Sequence, residues 1–205
     1  MMLLLARILY GMQVEGLENL PLTGPYILGS TELDRMGHMM AMIFVLRLVF
    51  SGLLDAPVGI ADEYNWPHAR EGTYSKVGFR PVFPHGRAQG VSALLAALKS
   101  LREGKIVAMN PAGEMSWDGR LVPPSPGVAW LALRSGVPIV LVVPTKGAYE
   151  IWPKWAERPH LNGRFRVRVG KPFRVTDAPH TKVSDEQIAS ANDRITQQMT
   201  ALIFE

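Results

Sequence analysis

The sequence has 205 residues, a usual length for one domain and enough to bury a core without metals or disulfides, so we predict a single domain over 1–205. It has no cysteine, which excludes disulfides, thiolate nucleophiles and cysteine zinc sites. Lys and Arg outnumber Asp and Glu by 22 to 18, and this net charge of +4 mildly favours anionic partners.

The first predicted element is a buried strand, indicated by the apolar run 26–29 behind a Gly-Pro turn. It ends in a loop at 30–35, after which a helix is expected. The apolar run 39–54 is shorter than the roughly 20 residues of a membrane span and contains Arg47, so a transmembrane helix is not predicted. A core helix is favoured there, with a helix that dips into one leaflet as the alternative.

Short strands are predicted next, at 57–61 and 80–83, and a helix over 89–103. Gly104 has the position of the C-cap of this helix, and the strand 106–109 follows it. The apolar residues that recur at helical spacing are Val91, Leu94, Leu95, Leu98 and Leu101.

The second half of the chain continues the alternation of helices and strands. A helix over 127–135 precedes the continuous apolar run 137–143, which is typical of a sheet covered on both faces. The segment 164–169 alternates arginines with apolar residues, which predicts a strand whose arginine side faces solvent or anionic lipid. Ser184 and Gln187 form a capping-box pattern at the start of a last helix. We therefore predict an α/β fold with a mixed, mainly parallel sheet and flanking helices.

Six segments occur in the order and at the spacing found in one family of lipid enzymes. Their succession resembles the lysophosphatidate and glycerol-3-phosphate acyltransferases, and this resemblance implies a glycerol-3-phosphate acyltransferase-like fold. It also implies transfer of a fatty acyl group from a thioester of coenzyme A or acyl carrier protein to a glycerol hydroxyl. The segments are 14–21, 24–28, 101–104, 117–121, 126–129 and 136–140.

The general base of that family belongs to an Asn-His-x-x-x-x-Asp motif, which is degenerate here. Aligned without gaps, Thr31 stands at its asparagine, Glu32 at its histidine and Gly37 at its aspartate. A buried Glu32 is one candidate base. His38, oriented by Asp34 one helical turn away, is the other. Alternatively, Asp34 only caps a helix and His38 is an ordinary polar residue of its first turn.

The arginine segment of the family, which contacts the acceptor's phosphate, is also changed. Phe83 and Pro84 stand where the family has an Asp-Arg pair, and the flanking residues Arg80 and Arg87 are the candidates for phosphate contact.

The Pro-Glu-Gly-Thr turn of the family is conserved in part. In the segment that contains this turn, Pro111, Gly113 and Ser116 fit, whereas Ala112 replaces the glutamate and Glu114 the threonine. The resemblance thus implies substrate contacts at Gly113, Glu114 and Ser116, and the alternative for Glu114 is a solvated loop carboxylate.

The implied partners are an acyl thioester, a lysophospholipid and an anionic membrane surface, with the protein cytoplasmic and peripheral on the inner face of the cell membrane. The histidines lack metal-ligand spacing and the basic residues lack interleaved aromatics, so neither a metal site nor nucleic-acid binding is predicted. No cofactor is expected beyond acyl-CoA or acyl carrier protein as co-substrate. The second hypothesis is a catalytically inactive protein of the same fold that binds lipid or acyl carrier, or serves as a subunit of a larger complex.

Overall fold

A sheet of six strands forms the centre of the part of the chain that the structure describes. The structure is a computed structural model, and the residues it describes are 13–31, 48–49, 52, 54–55, 57–59, 86–113, 116–144, 157–158 and 166–204. In chain order the strands and α-helices are β1 (Gln13–Glu15), β2 (Tyr26–Ser30), β3 (Val58–Gly59), α1 (Gly86–Arg102), β4 (Ile106–Met109), α2 (Pro126–Ser135), β5 (Ile139–Pro144), β6 (Arg166–Val169) and α3 (Asp185–Phe204). A short 3₁₀ helix, Leu17–Asn19, follows β1.

The strands lie in the order β1-β6-β5-β2-β4-β3. β2, β3, β4 and β5 run parallel to one another, β6 is antiparallel to β5, and β1 is parallel to β6. The predicted mixed, mainly parallel α/β fold is therefore confirmed. The predicted helix around 39–54 and the predicted strand 80–83 lie largely or wholly outside the described residues, and the single domain stays a prediction.

The core lies where the three helices cover one face of this sheet. Ile27, Val107 and Leu141 point from neighbouring strands into a cluster with apolar residues of α1, α2 and α3. The opposite face, which carries Tyr26 and Val140, is buried as well. The sheet is thus covered on both sides, which explains why β5 is a continuous apolar run.

Helix α1 ends in a Schellman motif, as the position of Gly104 predicts. The backbone N–H of Gly104 donates to the carbonyl of Leu101, and that of Lys105 donates to the carbonyl of Ser100. The apolar spacing correctly predicts the helix and part of its buried side: Leu98 and Leu101 are buried, whereas Val91 and Leu95 are 58% and 53% exposed. The small residues Ala93 and Ala97 are buried as well.

The ends of α2 and α3 also follow the predicted signals. Gly136 closes α2 in the left-handed conformation with φ 68°. At the start of α3, the Ser184 N–H donates to Gln187 Oε1 at 2.9 Å, and the Gln187 N–H donates to Ser184 Oγ at 3.3 Å. Both orphan amides of the capping box are therefore satisfied.

The arginine side of β6 is paired within the protein. Glu15 of β1 accepts from Arg168 Nε at 2.7 Å and lies 3.1 Å from Arg166 Nε. Arg168 also donates to the carbonyl of Leu202 near the end of α3. The hydrogen bond from Arg168, reinforced by the charge of both arginines, holds the pKa of Glu15 below its ordinary value. These two arginines thus join β1, β6 and α3.

Across the ranges that the structure describes, no helix is both long enough and apolar enough to cross a membrane.

Candidate functional site

The carboxyl ends of β2 and β4 form the best-placed edge of the sheet for a ligand. β2 lies between β4 and β5, so the connection from β4 through α2 to β5 passes from one side of β2 to the other. In open α/β sheets, ligands bind outside the carboxyl ends of the strands at such a switch point.

A tight turn follows β4 at this edge. The Gly113 N–H donates to the carbonyl of Asn110 at 3.1 Å, and the Ala112 N–H donates to Asn110 Oδ1 at 3.0 Å. Asn at the first position and Pro at the second are the residues that such turns prefer. Gly113 has a φ of 77°, a conformation that a side chain would strain. The sequence therefore fixes the shape of the turn locally.

The turn packs against the end of β2 because Gly29 has no side chain. A Cβ atom at Gly29 would lie 3.0 Å from Pro111 Cγ and 2.8 Å from Leu141 Cδ2, closer than carbon atoms normally approach. The other end of the loop is fastened to the same turn, because the Ser125 N–H donates to the carbonyl of Pro111 at 2.7 Å. The loop 110–125 is thus held over the edge at both ends.

Thr31 brings a buried hydroxyl to this edge. The residue is only 2% exposed, and among the described residues its Oγ1 has no hydrogen-bond partner. Because side chains alternate along an extended chain, Thr31 continues the face that carries Ile27 and Gly29, on the side of the Pro111 turn. A buried unpaired hydroxyl costs about 1–3 kcal/mol, and such groups in native proteins call for a functional or structural reason. The neighbouring Ser30 Oγ is also buried and has no hydrogen-bond partner in the described part of the chain.

The next part of the loop is organised by Asp118. Ser116 is buried and its Oγ donates to Asp118 Oδ1 at 3.4 Å. Asp118 also accepts from the Arg120 N–H at 3.1 Å and pairs with the exposed Arg120 guanidinium at 3.3 Å. Gly119 takes the left-handed conformation that the tight turn needs. Ser116 therefore stabilises the loop in this structure, and its role as a substrate contact stays a prediction.

Helix α2 begins at the same edge. Its N-cap residue Ser125 makes no side-chain capping bond, and Pro126 has no N–H to offer. A Cβ atom on Gly113 would lie 4.0 Å from Ser125 Oγ, so the turn after β4 adjoins the helix start. The N-terminus of a helix carries partial positive charge, which favours an anionic group at this place.

Of the residues predicted from the sequence, Gly113 and Ser116 lie in this loop. Arg87 lies in the first turn of α1, where only the backbone is described. The other predicted site residues lie outside the described residues, and these are Glu32, Asp34, His38, Arg80 and Glu114. Within the described ranges, no group of three or more His, Asp or Glu residues is placed to bind a metal ion.

Sequence reasoning did not assign three residues that shape the site: Thr31, Asn110 and Ser125. Two of them had a signal in the sequence: Asn110 begins the turn pattern Asn-Pro-x-Gly, and Thr31 stands at the asparagine of the family's base motif. The burial of Thr31 and the missing cap at Ser125 depend on tertiary packing.

One solved structure identifies the fold. The 1-acyl-sn-glycerophosphate acyltransferase PlsC of Thermotoga maritima superposes on this chain with a TM-score of 0.63. The match covers 95% of this chain and 73% of that one, at 20% sequence identity. The chain has the fold of that acyltransferase. Neither a protein-family model nor a curated protein matches the sequence. The acyltransferase-like fold predicted from the six segments is therefore confirmed, and the degenerate base motif stays a prediction.

Proposed function

We propose that the protein transfers a fatty acyl group from a thioester of coenzyme A or acyl carrier protein to a lysophospholipid or a related hydroxyl acceptor. The observation that carries this proposal is the likeness of the fold to a 1-acyl-sn-glycerophosphate acyltransferase over 95% of the chain. The base in this proposal is Glu32, or His38 oriented by Asp34, in place of the family's histidine.

The edge described above supports the proposal by its chemistry. Acyl transfer to a lysophospholipid needs a place for the acceptor's phosphate as well as a base. The start of α2 beside Gly113 offers backbone and dipole stabilisation to an anion. Arg80 and Arg87 are proposed to add positive charge to this phosphate site. Glu32 directly follows the buried Thr31, so the proposed base is next in the chain to a residue of this edge.

The exposed Trp117 supports a location at a membrane surface. Its side chain is 64% exposed and belongs to the loop that forms the site. Tryptophan is enriched at membrane–water interfaces because its ring is apolar and its N–H is polar. We accordingly propose that the protein is cytoplasmic and peripheral on the inner face of the cell membrane. Co-sedimentation with anionic phospholipid vesicles, compared between wild type and Trp117→Ala, tests this location.

The direct test of the function is an acyl-transfer assay with lysophosphatidate and palmitoyl-CoA or palmitoyl-acyl carrier protein. Glu32→Gln and His38→Ala are compared with Asp193→Asn, an exposed carboxylate on α3. Loss of the base is expected to lower kcat about 100- to 10,000-fold, whereas Asp193→Asn leaves it unchanged. Transfer that neither Glu32→Gln nor His38→Ala reduces would show that the base is misassigned.

The second candidate function is a catalytically inactive protein of this fold that binds lipid or acyl carrier, or is a subunit of a larger complex. Ala112 favours it, because a methyl group stands where the resemblance implies a glutamate. In the structure, the backbone N–H of Ala112 serves only the turn, through its bond to Asn110. No transfer by the wild type to any of a broad panel of hydroxyl acceptors would favour this candidate.

A further inference from the structure

Thr31 is one of four described residues with a buried polar side-chain atom that has no hydrogen-bond partner among the described residues, and with Ser30 it is one of the two at the carboxyl end of β2. Its side chain is buried at the carboxyl end of the central strand, and its hydroxyl has no hydrogen-bond partner among the described residues. By contrast, Thr196 of α3 donates to the carbonyl of Asn192 at 2.8 Å, and Thr176 donates to the carbonyl of Ala178, also at 2.8 Å. A threonine hydroxyl that serves only the fold normally finds such an acceptor.

The position of the hydroxyl indicates a ligand. Thr31 directly follows β2, and by the alternation of side chains it continues the face on which Gly29 meets the Pro111 turn, which adjoins the start of α2. Gly113, on the same turn, is exposed, so solvent reaches the edge there. A donor held in a buried place without a competing partner is preorganised for a negative charge that develops on a ligand.

We propose that Thr31 is a catalytic residue whose hydroxyl donates a hydrogen bond to the carbonyl oxygen of the acyl thioester as that oxygen becomes an oxyanion. This assignment rests on the proposed function. The acceptor's hydroxyl oxygen attacks the thioester carbon, a C–O bond forms, and the C=O π electrons move to the oxygen that faces Thr31. The proton of the acceptor hydroxyl passes to the base. Collapse of the oxyanion then breaks the C–S bond, and the base returns the proton to the thiolate.

Thr31→Val replaces the hydroxyl with a methyl group of similar size and is the decisive variant. We expect kcat to fall about 100-fold, as for the loss of one oxyanion donor, with KM nearly unchanged. The urea midpoint of unfolding is expected to stay equal or rise, because an unpaired buried polar group is removed. Thr31→Ser keeps the donor and is expected to restore most of kcat.

Thr196→Val is the matched control, because this hydroxyl has a partner and lies on α3. It should lower the urea midpoint and leave kcat unchanged. The proposal is overturned if Thr31→Val keeps wild-type kcat, if it changes KM alone, or if its urea midpoint falls as that of Thr196→Val does. Any of these results in an active wild type would leave the proposed function standing.

A binding measurement separates the two hypotheses if the wild type shows no transfer. The probe is 2-oxoheptadecyl-coenzyme A, which keeps the carbonyl but has a methylene group between it and sulfur. A rise in Tm with this probe in both the wild type and Thr31→Val, together with no transfer, would indicate an acyl-binding site without catalysis, which overturns the role of Thr31 and favours the second candidate function. No shift in the wild type, together with no transfer, would overturn both.

Discussion

Gly29→Ala tests whether the missing side chain at the end of β2 is what lets the turn after β4 close. The new Cβ atom would lie 2.8 Å from Leu141 Cδ2 and 3.0 Å from Pro111 Cγ, whereas carbon atoms in contact lie about 3.5–4.0 Å apart. Overpacking of this kind costs about 1–3 kcal/mol, and the lower backbone entropy of unfolded alanine offsets about 0.4–1 kcal/mol of it. We therefore expect a net loss of about 0–2.6 kcal/mol, and its midpoint of about 1.3 kcal/mol corresponds to a fall in Tm of about 3–5 °C.

The assay is urea unfolding followed by circular dichroism, with differential scanning calorimetry for Tm. Gly127→Ala in helix α2 is the matched control, because its Cβ atom would lie at an ordinary contact distance of 3.5 Å from Leu94 Cδ2 of α1. It should stabilise the protein by about 0.5–1 kcal/mol, since alanine is the better helix former. The Gly29→Ala/Leu141→Val variant should lose less than the sum of the single changes, because the shorter side chain relieves the closest contact. Equal stabilisation by Gly29→Ala and Gly127→Ala would refute the steric argument.

Three further predictions concern caps and titrating groups. Burial raises the pKa of Tyr26 above its ordinary value of 10.0, so the neutral phenol favours folding and stability should fall as the pH rises past 10.0. The Tyr26 hydroxyl donates to the carbonyl of Pro21 at 3.0 Å. Tyr26→Phe should weaken the alkaline loss of stability in urea unfolding and cost about 1 kcal/mol at pH 7 through loss of this hydrogen bond. Ser184→Ala should destabilise the protein by about 0.5–2 kcal/mol in urea unfolding, because it removes the cap of α3. Ser190, also on α3, is exposed, and Ser190→Ala should not destabilise the protein. Equal effects of the two substitutions would contradict the capping box. The pKa of Glu15 is lowered from 4.5, so its contribution to the free energy of unfolding is present above pH 4.5 and is lost as the pH falls. Glu15→Gln should therefore flatten the acid side of the stability–pH curve. An unchanged curve would contradict the pairing of Glu15 with Arg168.

The elements that the sequence predicts well are those whose cause is local. The apolar run of β5, the glycine that ends α2 and the Ser184–Gln187 capping box each depend on residues close together in the chain. Their physical causes are burial on both faces, the left-handed conformation and reciprocal hydrogen bonding.

The side on which α1 packs is predicted only in part, because Leu98 and Leu101 of the apolar stripe are buried while other members of it are not. Val91 and Leu95 have helical spacing but face outward, while Ala93 and Ala97 are buried. Close packing of a helix on a sheet and a second helix favours small residues at the nearest contacts, and hydrophobic spacing carries no information on this distance.

The candidate site is predictable only in part for the same reason. The Asn110–Gly113 turn depends on four consecutive residues, and its hydrogen bonds are present in the structure. The isolation of the Thr31 hydroxyl depends on the whole of its surroundings, and a threonine in a sequence does not reveal whether it will have a partner.

The placement of β1 beside β6 has a consequence for the order of folding. Gln13 pairs with Arg166, which lies 153 positions later in the chain. Among the described strands β6 is the only partner of β1, so this pairing cannot form until the other described strands have been synthesised. Contacts of such sequence separation form slowly, because a long loop must close first. Before β1 pairs with β6, the charge of Glu15 on β1 opposes pairing of this strand with other chains. The same carboxylate then joins Arg166 and Arg168, so β1 should be among the last strands to dock.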